Sequence, residues 1–223
     1  MFWQDEGYLL SKRNFDENSI IIEAFTLNHG KYSGIVYGGS SRKQKRNYQI
    51  GNKILLNMRS KNENKIGYFN IELLDPISAL FFDDKKRSIS ILSAASLLKI
   101  LLPERQVNKE IYHSFDSLLK KLNNNNWINF YILWELSLIK DLGFDINIFD
   151  SKKNDNSNKD FITINGKNLN IPSCLKNKNL TSISNLEINE ALNFNRYLLA
   201  ENFIFPNKLR FPNFRNILQK YYN

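Results

Sequence analysis

GIVYGGSSRKQKRNYQIGNKILLNMR, residues Gly34 to Arg59, is the stretch that decides how this chain reads. Two strand-like runs, Ile35–Tyr37 and Lys53–Met58, flank a Gly38-Gly39 break, two serines and a basic knot of Arg42, Lys43, Lys45 and Arg46. No Asp or Glu occurs between Glu23 and Glu63, whereas Lys31, Arg42, Lys43, Lys45, Arg46, Lys53, Arg59 and Lys61 all fall in that interval. Like charges brought together repel one another and oppose folding unless a polyanion binds them. Phosphate backbone is the commonest such partner. Tyr32, Tyr37 and Tyr48 sit among the cations and offer rings on which bases could stack. Aromatic residues serve cores first, so most of these rings are expected to pack in the barrel wall with their hydroxyls in solvent. The pattern points to a nucleic-acid-binding β-domain.

Working outward, strand and turn signals alternate from the first residue to about residue 75. Phe2–Lys12 predicts a strand, and the polar run Arg13–Ser19 a turn. The β-branched run Ile20–Leu27 predicts the second strand, Asn28-His29-Gly30 a tight turn, and Lys31–Tyr37 the third. Gly51 opens a fourth at Lys53–Arg59, and Ile66–Leu74 closes the set before Asp75-Pro76. Five short strands with a long irregular link between the third and fourth fit a small OB-fold barrel, with an SH3-like barrel as the structural rival.

From Ser88 the periodicity becomes helical. Ile89 to Leu102 keeps helical spacing until Pro103, Ile111 to Leu122 forms a second amphipathic run, and Trp127 to Leu142 a third that ends at Gly143. The third run is apolar on more than one side, which places it at the centre of a bundle. Alternation at Phe161–Ile164 before Gly166 predicts a short hairpin inside a polar insertion at about 150–183. Ser184 and Glu187 have capping-box spacing ahead of another helix, and Phe211–Tyr222 predicts the last. The fold class is therefore α+β and multidomain: an N-terminal five-stranded OB-fold barrel over residues 1–79, then an α-helical bundle over 80–223 with a short irregular insertion.

Composition agrees with a folded, cation-rich chain. Of 223 residues, 42% are hydrophobic and 13% aromatic, and the net charge is +9. Residues 1–80 hold 11 Lys and Arg against 8 Asp and Glu, so both halves are basic but only the first concentrates its charge. Cys174 is the single cysteine, which rules out an intramolecular disulfide and a cysteine-based zinc site. No apolar run reaches bilayer length and the start lacks a cleavable signal pattern, so the expected compartment is a reducing cytoplasm.

Catalytic patterns are not found. His29 and His113 are too isolated for a metal pair or triad and read as surface or capping residues. Asp83-Asp84 and Asp155/Asp160 lack companions at metal-ligand spacing and read as loop charges. Gly38-Gly39 is not followed by Gly-Lys-Ser/Thr, so it is no phosphate loop. The expectation is a non-enzymatic protein with no cofactor, no metal and no small-molecule substrate.

Four segments carry a resemblance. Trp3-Gln4-Asp5-Glu6-Gly7-Tyr8-Leu9-Leu10-Ser11, Gly30-Lys31 leading to Gly34–Arg42, Leu101-Leu102-Pro103-Glu104-Arg105, and Trp134-Glu135-Leu136 followed by Leu142-Gly143-Phe144 resemble, in order and spacing, the RecO family of bacterial DNA repair proteins. The Leu-Pro-Glu-Arg form is similar to the alphaproteobacterial branch. The resemblance implies an OB domain, a helical domain and a recombination mediator at the nucleoid that binds single- and double-stranded DNA and anneals complementary strands. It implies RecR as a partner and, through the acidic C-terminal tail of single-strand-binding protein, help for RecA in loading onto coated DNA. Many members of the family hold zinc through a cysteine cluster after the Gly-Phe motif; only Cys174 stands there in this chain, so no zinc is expected.

The expected DNA-binding residues are Arg42, Lys43, Lys45 and Arg46, supported by Lys31, Lys53, Arg59, Tyr37 and Tyr48. Arg105, Lys109, Lys120 and Lys121 are placed to rim a pocket for the acidic tail, or to serve as ordinary solvated helix charges. An RNA-binding or ribosome-associated OB protein and a basic scaffold for a membrane surface or acidic protein are the alternatives. A membrane role fits less well, because the basic knot lies in a turn-rich link and not on an amphipathic helix.

Overall fold

Residues that alternate in and out along each strand build the first part of the chain. The computed structural model describes residues 1–41, 44, 47–62, 65–144, 161–176 and 183–223. Five strands, β1 (Phe2–Asn14), β2 (Ser19–Thr26), β3 (Gly30–Tyr37), β4 (Lys53–Arg59) and β5 (Gly67–Asp75), close into a barrel in the order β1-β2-β3-β5-β4. On β4 the side chains of Ile54, Leu56 and Met58 are buried, while Lys53, Leu55, Asn57 and Arg59 face outward. Trp3, Leu9, Ile20, Ile22, Ala24, Tyr32, Val36, Tyr48 and Phe69 join them in one core.

Two pairings set the topology. The first half of β1 runs antiparallel to β4, from Phe2 opposite Arg59 to Tyr8 opposite Lys53. Its second half pairs with β2, with a register shift between Leu9 and Ser11 where the strand curls from one neighbour to the other. β3 and β5 then meet in parallel, Gly34 opposite Gly67 and Ile35 opposite Tyr68. This is the OB arrangement, so the SH3-like alternative falls away. β1 runs two residues past the expected Lys12 because Arg13 and Asn14 still pair with Ile21 and Ile20. Asp16 then closes the turn by accepting from the amides of Asn18 and Ser19 at 2.8 and 2.6 Å.

A polar hub ties β1 to the β2–β3 turn. Asp5 is only 4% exposed and accepts from the amide of Asn28 at 2.7 Å and from its side-chain nitrogen at 3.0 Å. His29 Nδ1 lies 2.8 Å from the same carboxylate, and its ring stacks on Trp3 at 4.1 Å. His29, read from sequence as a surface or capping residue, is thus built into the barrel rim.

Helices follow. α1 (Ile77–Leu80) leads to α2 (Lys85–Leu101), which starts earlier than the expected Ser88 because Asp84 caps it through the amide of Arg87 at 3.0 Å. Asp84, read from sequence as a loop charge, is a helix cap. α2 covers the outer side of β1 to β3: Lys99 Nζ meets Glu23 at 3.1 Å and Ser11 Oγ at 3.3 Å. By inter-residue proximity the chain forms two compact units, Met1–His113 with Pro212–Arg215, and Ser114–Phe211 with Asn216–Asn223.

α3 (Lys109–Lys121) begins in the first unit and ends in the second. In the second, α4 (Trp127–Asp141) is buried on several sides, as its all-round apolar sequence requires. It packs beside α6 (Asn185–Leu199), whose Asn195 side chain donates to the carbonyl of Ile132 at 2.9 Å. The capping box at Ser184 and Glu187 is present, and α6 continues as a π-helical turn, Ala200–Ile204. A hairpin of β6 (Phe161–Ile164) and β7 (Lys167–Asn170), a short α5 (Ser173–Lys176) and α7 (Asn213–Lys220) complete the described residues. Cys174 is buried, which raises its thiol pKa and makes it a weak nucleophile.

The parallel seam leaves no room for a side chain at Gly34, where a Cβ would lie 2.3 Å from the Phe69 ring. Gly34→Ala is therefore expected to lower unfolding free energy by about 1–3 kcal/mol through overpacking. A urea midpoint equal to that of the wild type, at equal slope, would show that the seam gives way.

Candidate nucleic-acid interface

Arg42, Lys43, Lys45 and Arg46 lie outside the described residues. The link that carries them is held at both ends. Ser40 Oγ donates to the carbonyl of Glu17 at 2.8 Å, and the amide of Gly51 donates to that of Leu9 at 2.8 Å. Lys12 Nζ donates to the carbonyl of Tyr48 at 2.5 Å.

The other expected cations do not share one surface. Lys31 is partly buried and donates to the carbonyl of Lys99 at 2.6 Å, and desolvation lowers its pKa. Lys53 pairs with Glu6 at 3.0 Å, and its Nζ lies 5.9 Å from the Tyr8 ring centre. Arg59 is exposed at the far end of the same strand, six residues on, a separation of roughly 20 Å along β4. The acid-free interval in sequence is therefore not an acid-free surface, because Glu6, Glu23 and Glu104 reach it from other strands and from the segment after α2.

The tyrosines divide as well. Tyr48 is 4% exposed and Tyr32 8%, so both rings belong to the core and present no face to a base. Their placement corrects the expectation that Tyr48 stacks on a ligand: the link folds it inward to close the barrel, where apolar burial outweighs exposure. Tyr37 is 67% exposed.

What the barrel assembles instead is a strip across its outer wall. Phe2 on β1 stands opposite Arg59 on β4, and Arg59 stands opposite Tyr68 on β5. The Arg59 guanidinium lies 5.7 Å from the Phe2 ring centre. Tyr68 and Tyr37 stack with centroids 4.9 Å apart and planes 16° from parallel. The Tyr37 hydroxyl is hydrogen-bonded with Tyr68, which favours the neutral phenol and raises the Tyr37 pKa, with smaller contributions from partial desolvation and the charges of Tyr68 and Asp16. The β4–β5 turn beside the strip carries exposed Lys61 and Lys65. Further along the wall the character changes: Gln4 Nε2 donates to Asn57 Oδ1 at 2.8 Å, and beyond that pair Glu6 and Glu72 flank Leu55. One end of the wall is aromatic and cationic, the other acidic.

Phe2 and Tyr68 were not singled out from sequence. The strand parity that buries Gly67 and Phe69 puts Tyr68 outside, but only barrel closure brings it beside Tyr37.

The residues expected to meet a protein partner are placed as follows. In the first unit Arg105 is exposed with φ +62°, its guanidinium 5.3 Å from the Tyr32 ring centre, and Lys109 is exposed in the first turn of α3. In the second unit Lys120 pairs with Asp116 at 2.7 Å and Lys121 Nζ lies 5.0 Å from the Phe130 ring centre. Among the described residues no group of three or more His, Cys, Asp or Glu is placed to hold a metal ion, and no helix is long and apolar enough to cross a membrane.

Barrel and helices together define an α+β protein of the OB class. Residues 1–77 match the family described as Recombination protein O N terminal, and residues 83–180 match Recombination protein O C terminal. The chain belongs to the RecO family. It is 34% identical over 148 residues to the DNA repair protein RecO of Cereibacter sphaeroides, covering 66% of this chain and 62% of that protein. Identity is 35% over 145 residues with the RecO of Roseobacter denitrificans, covering 65% and 60%. With that of a Wolbachia it is 31% over 150 residues, covering 66% and 62%. The chain thus spans about three fifths of the length of the curated relatives it matches.

Burial raises the Tyr48 phenol above its ordinary pKa of 10.0. A raised folded-state pKa contributes stability that is present below pH 10 and lost as the pH climbs through it, because only the unfolded chain ionises freely. Replacing this phenol, Tyr48→Phe, is expected to flatten the alkaline decline in denaturation midpoint between about pH 8 and about pH 11. Superimposable profiles would show that other groups set it.

Proposed function

We propose that this chain is a non-enzymatic mediator of DNA repair and recombination, in which the barrel, residues 1–79, binds single- and double-stranded DNA and anneals complementary strands. In this reading the region 80–223 recruits protein helpers. The observation that carries the proposal is the aromatic and cationic strip on an OB barrel whose β3–β4 link holds four cations in sequence. The relatives' name, DNA repair protein RecO, supports the same direction. Annealing needs a surface that holds backbones and leaves base edges free to pair. Sequence-independent phosphate contacts do this, and they screen the repulsion between two strands held side by side.

Arg42, Lys43, Lys45 and Arg46 supply those contacts in this reading, with Arg59 within the strip. Lys31 and Lys53 are engaged within the protein and contribute less. Four phosphate contacts on a single strand correspond to a log–log salt slope of roughly −3. Replacing all four with Gln should flatten that slope and weaken every sequence alike, and unchanged affinity would remove the link from the interface. Comparing DNA and RNA of equal sequence separates this function from RNA binding.

RecR, the acidic tail of single-strand-binding protein and, indirectly, RecA are the proposed protein partners, with Arg105, Lys109, Lys120 and Lys121 as candidate contacts for the tail. The expected outcome is that an acidic tail peptide binds and its charge-reversed counterpart does not. Equal binding of both would exclude recognition by charge.

A further inference from the structure

We infer that the Tyr37–Tyr68 stack is a base-stacking subsite selective for single strands, in which one unpaired base lies on the open face of Tyr37 and its backbone passes on the Arg59 side. This rests on the nucleic-acid reading and assigns the site a substrate class. The two rings stand 4.9 Å apart and nearly parallel, which leaves no layer between them for a base. Tyr68 is the more covered of the two, at 43% exposed against 67% for Tyr37, so the free face belongs to Tyr37. Tyr68 and the backbone of β3 hold that ring in place before any ligand arrives, and a ring already ordered loses little entropy on binding.

Charge orients the strand. Asp16, on the β1–β2 turn, is the carboxylate felt by Tyr37. It keeps its negative charge because backbone amides of that turn donate to it, which lowers its pKa. A phosphate directly beside Asp16 is therefore disfavoured. On the opposite side Arg59 neighbours Tyr68, and the following turn presents Lys61 and Lys65. The phenol of Tyr37 is neutral at ordinary pH, so no phenolate opposes the backbone. In a duplex both faces of every internal base are already stacked, so this ring can add affinity only where bases are unpaired.

The experiment compares the full chain with Tyr37→Ala, Tyr37→Phe and Tyr68→Ala, by anisotropy of a labelled oligothymidylate of about 20 nucleotides and a duplex of the same length. Tyr37→Ala is expected to weaken the single strand about 5- to 100-fold, and the duplex less than about twofold. Tyr37→Phe keeps the face and should stay within about twofold of the wild type on both probes. Tyr68→Ala should give a smaller loss, confined to the single strand. An oligonucleotide of abasic residues should bind the wild type as weakly as it binds Tyr37→Ala, and this arm does not depend on the variant's fold. Equal losses on single strand and duplex, a Tyr37→Phe as weak as Tyr37→Ala, or no loss at all would each overturn the subsite. A wild type that binds neither probe would defeat the nucleic-acid reading itself. Strong binding by the wild type with an indifferent Tyr37→Ala would defeat only this inference.

Discussion

The parallel contact between β3 and β5 is the constraint on which the barrel and its candidate interface both depend. It spans two residue pairs, and it closes only because Gly34 faces Gly67 with the Phe69 ring lying where a side chain would be. Closing the barrel removes the sheet edges that would otherwise expose unpaired backbone groups. The same register sets Tyr68 opposite Ile35, one step from Tyr37 on the outward side of the neighbouring strand. Packing inside the barrel and chemistry outside it follow from one pairing.

Charge in this protein is organised in space more than along the chain. The interval from Glu23 to Glu63 contains no acid, yet Lys53 meets Glu6 and Lys31 lies against the end of α2. A strand brings a distant residue to within 3 Å as readily as a near one, so local composition overstates the potential at these two positions. Arg59 keeps its exposure because its cross-strand neighbours are aromatic, Phe2 and Tyr68, and an arginine over a ring gains without losing its charge. The outer wall therefore passes from rings and cations to amides and then to carboxylates, a gradient that would orient a polyanion along it.

Polar burial has an equally specific use at the barrel rim. Asp5 gathers the amide and side chain of Asn28 and the ring of His29, and that ring lies on Trp3. A carboxylate removed from water this completely persists because it has donors on several sides. The result fastens the β2–β3 turn to the first strand, and so sets where β3 begins its run toward Tyr37.

Strand alternation, the turn at Asn28-His29-Gly30, the helical spacing from Ile89 onward and the capping box at Ser184 were all legible in the order of residues, because each depends on neighbours within a few positions. Strand number and class followed from them. Residue order could not say that Tyr48 turns inward, that Asp84 caps a helix, that His29 serves a buried carboxylate, or that Phe2, Arg59, Tyr68 and Tyr37 share one wall. Those facts depend on which strand lies beside which, and that is set by closure of the whole barrel, where burial of the core as a unit chooses the register.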